Sequence, residues 1–438
     1  MVSFPRDRRA WTRLLRPAGS EVSHSLGARR ANAITAIVGG VLGITALAAG
    51  PFLWLRPNRI VEGEPAVALA SLGATGWTAL ALWSLAAFGA LWSGRWPWRR
   101  RCADSGTRRE RLARSVWNAV RGFLAGVSLL LLLAAAGDRA AAFAATEGTI
   151  ARSSFGWGFY LFIFALYLVI YAAMTETPDR TTRIVFAALP FVGVVALTAA
   201  GQLGELGIVR EWALARSTFA RETGRHLFYA LGATGGAMLI GIPLGVLAAR
   251  RRRARAAVMG LLNVGQVLPV LAFIGIMMPI LGALSDHLPG LRSLGISGIG
   301  WAPVMIVLLV YALYPITRNT LISIQQLEPA VMDAAKGMGM GRNRTFWEVE
   351  LPLAFPVVFA GVRIALVQST AGAIIAAFVG GGGLGTVVFL GLEQTSMDLV
   401  LVGVLPIVAL AVCFDALLRS VEHLVSRGGA TRTALANL

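Results

Sequence analysis

What most constrains this chain is a series of apolar runs, each near the length that crosses about 30 Å of hydrocarbon as a helix. They fall at 31–55, 66–92, 117–136, 157–174, 184–203, 226–249, 256–284, 302–317, 356–379 and 399–418. Only 14% of the 438 residues are charged, where soluble chains carry about 25%. The expectation is an all-α polytopic membrane protein of about ten transmembrane helices. Disordered, collagen-like and disulfide-scaffold classes are excluded.

The net charge of +18, with 39 of the 40 basic residues being Arg, first suggests a nucleic-acid binder. Its distribution argues otherwise, because the basic residues cluster on alternate connections between runs, the pattern that sets orientation in a bilayer. With both termini cytoplasmic, 30 basic residues fall inside and nine outside, and Arg363 lies within a run. Trp54, Trp157 and Trp301 then mark outer ends of spans, and Trp92, Trp96, Trp98 and Trp117 inner ends, as interfacial anchors do. The first thirty residues are polar and Arg-rich, too long for the charged start of a signal peptide, so the first run is expected to remain as an anchor.

Cys102 and Cys413 fall in different compartments and are not expected to pair. His24, His226, His287 and His423 are too scattered for a metal-ligand spacing, so no metal is expected. A Walker A loop ends in Gly-Lys-Ser/Thr, yet the single lysine, Lys336, is followed by Gly337, so this chain supplies no standard nucleotide site. The cluster Gly380–Gly383 and Gly385 follows a span and opens no strand-to-helix unit, and it reads as a flexible turn or close-packing element.

The amphipathic stretch 204–225 separates five runs from five. The expected organisation is an N-terminal membrane extension over 1–203, an outer-face connector over 204–225, a core over 226–420 and a cytoplasmic tail over 421–438. Every Asp and Glu lies outside the runs except Asp415, near the inner end of the last one. Ion-coupled carriers usually keep ionisable residues in the membrane as relays, so the energy for any transport is expected from elsewhere. Arg363 is expected to snorkel to the inner interface in preference to pairing with Glu350, and Asp415 to face water or Arg419 four residues on.

Between the eighth and ninth runs, 323–355 carries strong local grammar. Pro329 suits a helix start, Ala330 to Met338 propagate it, and Gly339 or Gly341 stops it. A second short helix follows from Arg344 to Glu350. Ala334 and Ala335 leave a shallow surface, while Met332, Met338 and Met340 offer adaptable apolar contacts, so the loop is built to dock.

Asp333-Ala334-Ala335, then Gly339, Val349 and Leu351-Pro352, resembles the EAA loop of binding-protein-dependent ABC transporter permeases, with Asp333 where Glu is usual and Val349 where Ile is usual. Over 226–420 the chain is most similar to the osmoprotectant branch (glycine betaine, choline, carnitine, proline), through Gln266 and Pro269, the string from Tyr314 to Thr320, and Gly380 to Gly385. The resemblance implies a five-helix ABC importer permease core and an enlarged N-terminal membrane half. It also implies a permease subunit in the cytoplasmic (inner) membrane that is not itself an enzyme. The implied partners are a separate cytoplasmic ATPase that uses ATP and Mg, an extracytoplasmic solute-binding protein, and a second permease copy. The solute implied is a small compatible one such as glycine betaine.

Asn263, Gln266, Asn319, Gln368, Ser369 and Thr370 are the polar residues in or beside core runs, and so the candidates to line a translocation path. Each has the plainer alternative of an interhelical hydrogen bond. The rival reading of the whole chain is an ion-coupled secondary transporter, since five runs starting inside and five starting outside formally make an inverted repeat.

Overall fold

In the computed structural model, residues 18–58, 61–94, 108–148, 150–177 and 179–435 are described. Trp96, Trp98, Cys102 and the first seventeen residues lie outside them. Nine helices among the described residues are long and apolar enough to cross a membrane. The chain divides into two compact units, Met1–Arg210 and Glu211–Leu438.

The first unit contains α1 (Ala18–Ala48), α2 (Ala68–Ser71), α3 (Gly73–Gly94), α4 (Arg108–Glu147), α5 (Trp157–Glu176) and α6 (Arg180–Ala199). Three short strands accompany them, β1 (Pro51–Arg56), β2 (Glu64–Val67) and β3 (Arg152–Phe155), in an antiparallel sheet ordered β2-β1-β3. The sheet is minor beside the helices and trims the first two runs. α1 stops at Ala48, and Pro51, which lacks an N–H to continue a helix, opens β1. Trp54 therefore sits in a strand, while Trp157 opens α5.

Packing in this unit centres on Trp83 and Phe162, both fully buried, whose rings lie 4.6 Å apart. The Trp83 indole N–H donates to the Gly40 carbonyl at 3.1 Å. At the other side of the unit, Asp179 caps α6, accepting from the Thr182 N–H at 2.7 Å and the Thr182 hydroxyl. Those two bonds hold its carboxyl below the ordinary value.

The second unit opens within α7 (Gly207–Arg250) and continues through α8 (Arg252–Val267), α9 (Val270–His287), α10 (Pro289–Ser293) and α11 (Trp301–Gln325). Then come α12 (Pro329–Gly337), α13 (Arg342–Thr345), a π turn (Phe346–Glu350) and α14 (Leu351–Gly372). A 3-10 segment (Ala373–Val379), α15 (Gly385–Glu393) and α16 (Met397–Leu435) complete it. The stretch expected as a separate connector and the span expected after it are one 44-residue helix, because no strong breaker separates them and Pro243 lies inside it. The run expected over 256–284 is two helices broken at Leu268 and Pro269, since proline removes a donor and clashes with the turn before it. Tyr311 donates its hydroxyl to the Leu268 carbonyl, and Gln266 Nε2 donates to the Tyr311 carbonyl at 2.8 Å, so α11 satisfies the break.

α11 packs against both α14 and α7 through small residues. A Cβ at Gly361 would lie 2.8 Å from the Pro315 carbonyl oxygen, and one at Gly245 2.8 Å from the Thr317 carbonyl oxygen. Close backbone approach of this kind replaces the hydrophobic drive that is missing between helices in lipid.

Candidate coupling loop and translocation residues

The loop between α11 and α14 is ordered by its own backbone. Pro329 starts α12 and Met338 ends it, with Gly339 in the left-handed region at φ 76°. The Met340 N–H reaches the Ala335 carbonyl at 3.1 Å, and the Gly339 N–H the Lys336 carbonyl at 2.9 Å, the pair of bonds that closes a Schellman motif. Of the two glycines that the spacing offered as a stop, Gly339 serves. Gly341 sits at φ −67°, where any residue fits.

Around this turn Asp333 and Ala334 face outward, while Ala335 is 1% exposed and packs inward. Asp333 pairs with Lys336 at 3.2 Å across one helical turn. Val349 and Leu351 are half-buried and Pro352 is exposed. Met332 and Met340 are half-buried, but Met338 is 70% exposed and Trp347 60%. Trp347 is thus an exposed aromatic residue that the motif does not include.

A second anchoring device is Arg250, at the end of α7. Its guanidinium reaches Glu350 at 2.8 Å and lies 5.3 Å from the centre of the Phe346 ring. Beside it opens a cleft of about 440 Å³ lined by Val246, Arg250, Arg342, Asn343 and Phe346. Arg363, expected to snorkel, instead reaches Asp415 at 3.7 Å and Glu422 at 3.4 Å on α16. Two carboxylates about two turns apart on a facing helix suit a guanidinium better than the interface does. Asp415 also pairs with Arg419 at 2.8 Å.

The six polar path residues divide. Asn263 and Gln368 are exposed. Gln266 is used at the helix break, and Asn319 donates to the Pro315 carbonyl of its own helix at 2.8 Å. Ser369 and Thr370 are buried, and the Thr370 hydroxyl returns to the Leu366 carbonyl at 2.7 Å. The Thr370 carbonyl lies 2.9 Å from His226 Nε2 on α7.

Not anticipated from sequence is the way α7 meets the glycine cluster. The Gly383 N–H donates to Glu222 Oε2 at 2.7 Å, and Tyr229 donates its hydroxyl to the Gly381 carbonyl at 2.7 Å. Glu222, His226 and Tyr229 recur at i, i+4 and i+7, a polar face at helical period. That face straddles the expected boundary, with Glu222 in the connector 204–225 and His226 and Tyr229 in the run 226–249.

The family model of the binding-protein-dependent transport system inner membrane component matches residues 241–427. The N-terminal domain of the ABC transporter permease YehY matches 31–107 and 109–209. The glycine betaine/carnitine/choline transport system permease protein OpuCB of Bacillus subtilis (strain 168) is 33% identical over 212 residues, which are 48% of this chain and 88% of that one. The osmoprotectant import permease protein OsmW of Salmonella typhimurium is 34% identical over 211 residues, covering 47% and 91%. A solved structure of the MetNI methionine ABC transporter overlaps 47% of this chain and 95% of its own at a TM-score of 0.42 and 18% identity. With a permease model on each half and most of each permease relative spanned, the chain belongs to the family of binding-protein-dependent ABC transporter permeases.

Proposed function

We propose that this chain is the membrane subunit of an ATP-driven importer for a small quaternary-ammonium compatible solute such as glycine betaine, choline or carnitine. Two copies, or this chain and a similar one, form the path. The observation that carries the reading is the coupling loop, in which a Schellman turn at Gly339 ends α12 with Asp333, Ala334 and Met338 exposed, as Trp347 is further along the loop. That surface docks a separate cytoplasmic ATPase, which binds ATP and Mg and hydrolyses the nucleotide. α14 begins directly after the loop, so movement of the docked ATPase passes into a core helix. An extracytoplasmic binding protein delivers the solute, and its aromatic box supplies the cation recognition.

The substrate class rests on the osmoprotectant relatives and on the charge-poor core runs, which suit a solute of zero or single charge. Both termini, 323–355 and 421–438 face the cytoplasm on the Arg distribution. Asn263 and Gln368, the exposed members of the polar set, line the path, while Gln266, Asn319, Ser369 and Thr370 hold its walls.

The test is purification in mild detergent with its stoichiometric partners, followed by uptake of labelled glycine betaine into energised vesicles. The reading requires a P-loop ATPase in the complex, and a Gly339→Asp variant that inserts normally but transports nothing. Normal uptake by Gly339→Asp removes the coupling role. Uptake that collapses with the ion gradient while ATP stays high would favour an ion-coupled carrier.

A further inference from the structure

Glu222 is 4% exposed, yet it stands in a helix segment whose neighbouring charges, Arg221 and Arg225, are more than half exposed. Burying a carboxylate is costly unless it is fully engaged. Its engagements are the Gly383 N–H at 2.7 Å, Arg221 at 3.0 Å and Arg225 at 3.6 Å. The loop it grips is built for close approach. Gly380, Gly382 and Gly383 sit at φ 71°, 75° and 89°. A Cβ at Gly382 would lie 2.6 Å from Arg225 Nη1, and one at Gly381 2.5 Å from the Tyr229 hydroxyl. Glycine at these positions satisfies both the backbone conformation and the fit under α7.

His226 adds an unused valence. Its Nε2 faces a carbonyl, which only accepts, so Nε2 is the donor of that bond. Nδ1 is buried without a partner and is the nearest atom to a Cβ built at Gly383. To α7 the loop is therefore held by one hydrogen bond each with Glu222 and Tyr229, with an unpartnered ring nitrogen alongside, a construction that permits a second arrangement.

α7 spans about 42 Å between Glu222 and Arg250 at 1.5 Å per residue. At its far end Arg250 grips Glu350, immediately before α14, whose continuation through the 3-10 segment leads into the glycine loop. The two paths from the coupling loop to the glycine loop are thus tied to each other at both ends. We propose that Glu222, with Tyr229 and His226, is a positioning clasp on the glycine loop 380–383, and that its release accompanies each transport cycle. This rests on the permease reading above, with the loop on the solute-delivery side.

Hydrogen–deuterium exchange on the full chain in lipid nanodiscs reads the clasp without any substrate. Glu222→Ala should speed exchange across 381–384 about tenfold or more, and Glu222→Gln and Tyr229→Phe by less, with 301–325 unchanged. Equal exchange over 376–390 in Glu222→Ala and the parent overturns the clasp. In vesicles, Glu222→Ala should keep nucleotide hydrolysis while losing most solute taken up per ATP, and Glu222→Gln should recover part of it. An unchanged ratio in Glu222→Ala overturns the role in transport. Should the parent import no quaternary amine, the substrate reading fails while the exchange result still decides the clasp.

Discussion

Single residues carry much of this fold because helices in lipid gain little from the hydrophobic effect and depend on contact. Gly43 shows it in the first unit, where a Cβ would overlap the indole of the fully buried Trp83. Gly43→Ala should therefore cost about 1–3 kcal/mol through overpacking. It should lower the midpoint of thermal unfolding in detergent by several degrees, and a midpoint equal to that of the parent would contradict the contact. Buried charge follows the same logic in the second unit. Arg363 meets Asp415 and Glu422, and Arg250 meets Glu350, so these partly buried charges come as partners. None of these pairings is legible from local sequence. Arg363 and Glu422 are 59 residues apart, and Glu222 and Gly383 161 apart, and only the packing brings them together.

Among elements, length and apolar content made the spans legible, but boundaries failed where an apolar run changes conformation without changing composition. Pro51 to Leu55 is as apolar as the helix before it, and only Gly50-Pro51 marks the switch to a strand. Leu268-Pro269 divides two helices inside one continuous apolar run in the same way. The coupling loop was the more readable element because its signals are conformational. A helix start at Pro329 and a stop at a nearby glycine predict α12 closely, leaving open only which glycine ends it. The structure separates the two by φ, 76° at Gly339 against −67° at Gly341. Gly339→Ala should then weaken the turn by about 1 kcal/mol, the left-handed cost of a Cβ, and reduce uptake several-fold. Gly341→Ala should transport as the parent does. Equal loss in both variants, measured by initial uptake rates at matched membrane levels, would mean that surface and not backbone conformation is what these glycines supply.

At the scale of the whole molecule, the proposed orientation rests on charge before any contact is considered. Thirty basic residues on one set of connections against nine on the other is a bias that resists inversion, because short Arg-rich loops are not translocated. Two positions within the second unit report it directly. On the proposed orientation Ser297, in the connection before α11, lies outside, and Asn343, in α13 of the coupling loop, lies inside. With Cys102 and the exposed thiol of Cys413 replaced by Ser, single cysteines at these two sites can be probed in intact spheroplasts with a membrane-impermeant maleimide. Ser297→Cys should label within minutes, and Asn343→Cys only after the membrane is opened. The reverse pattern would turn the coupling loop away from the cytoplasm, where no ATPase can reach it. Both the docking surface and the glycine-loop clasp would then need a different source of force, which makes this measurement the one on which the larger reading depends.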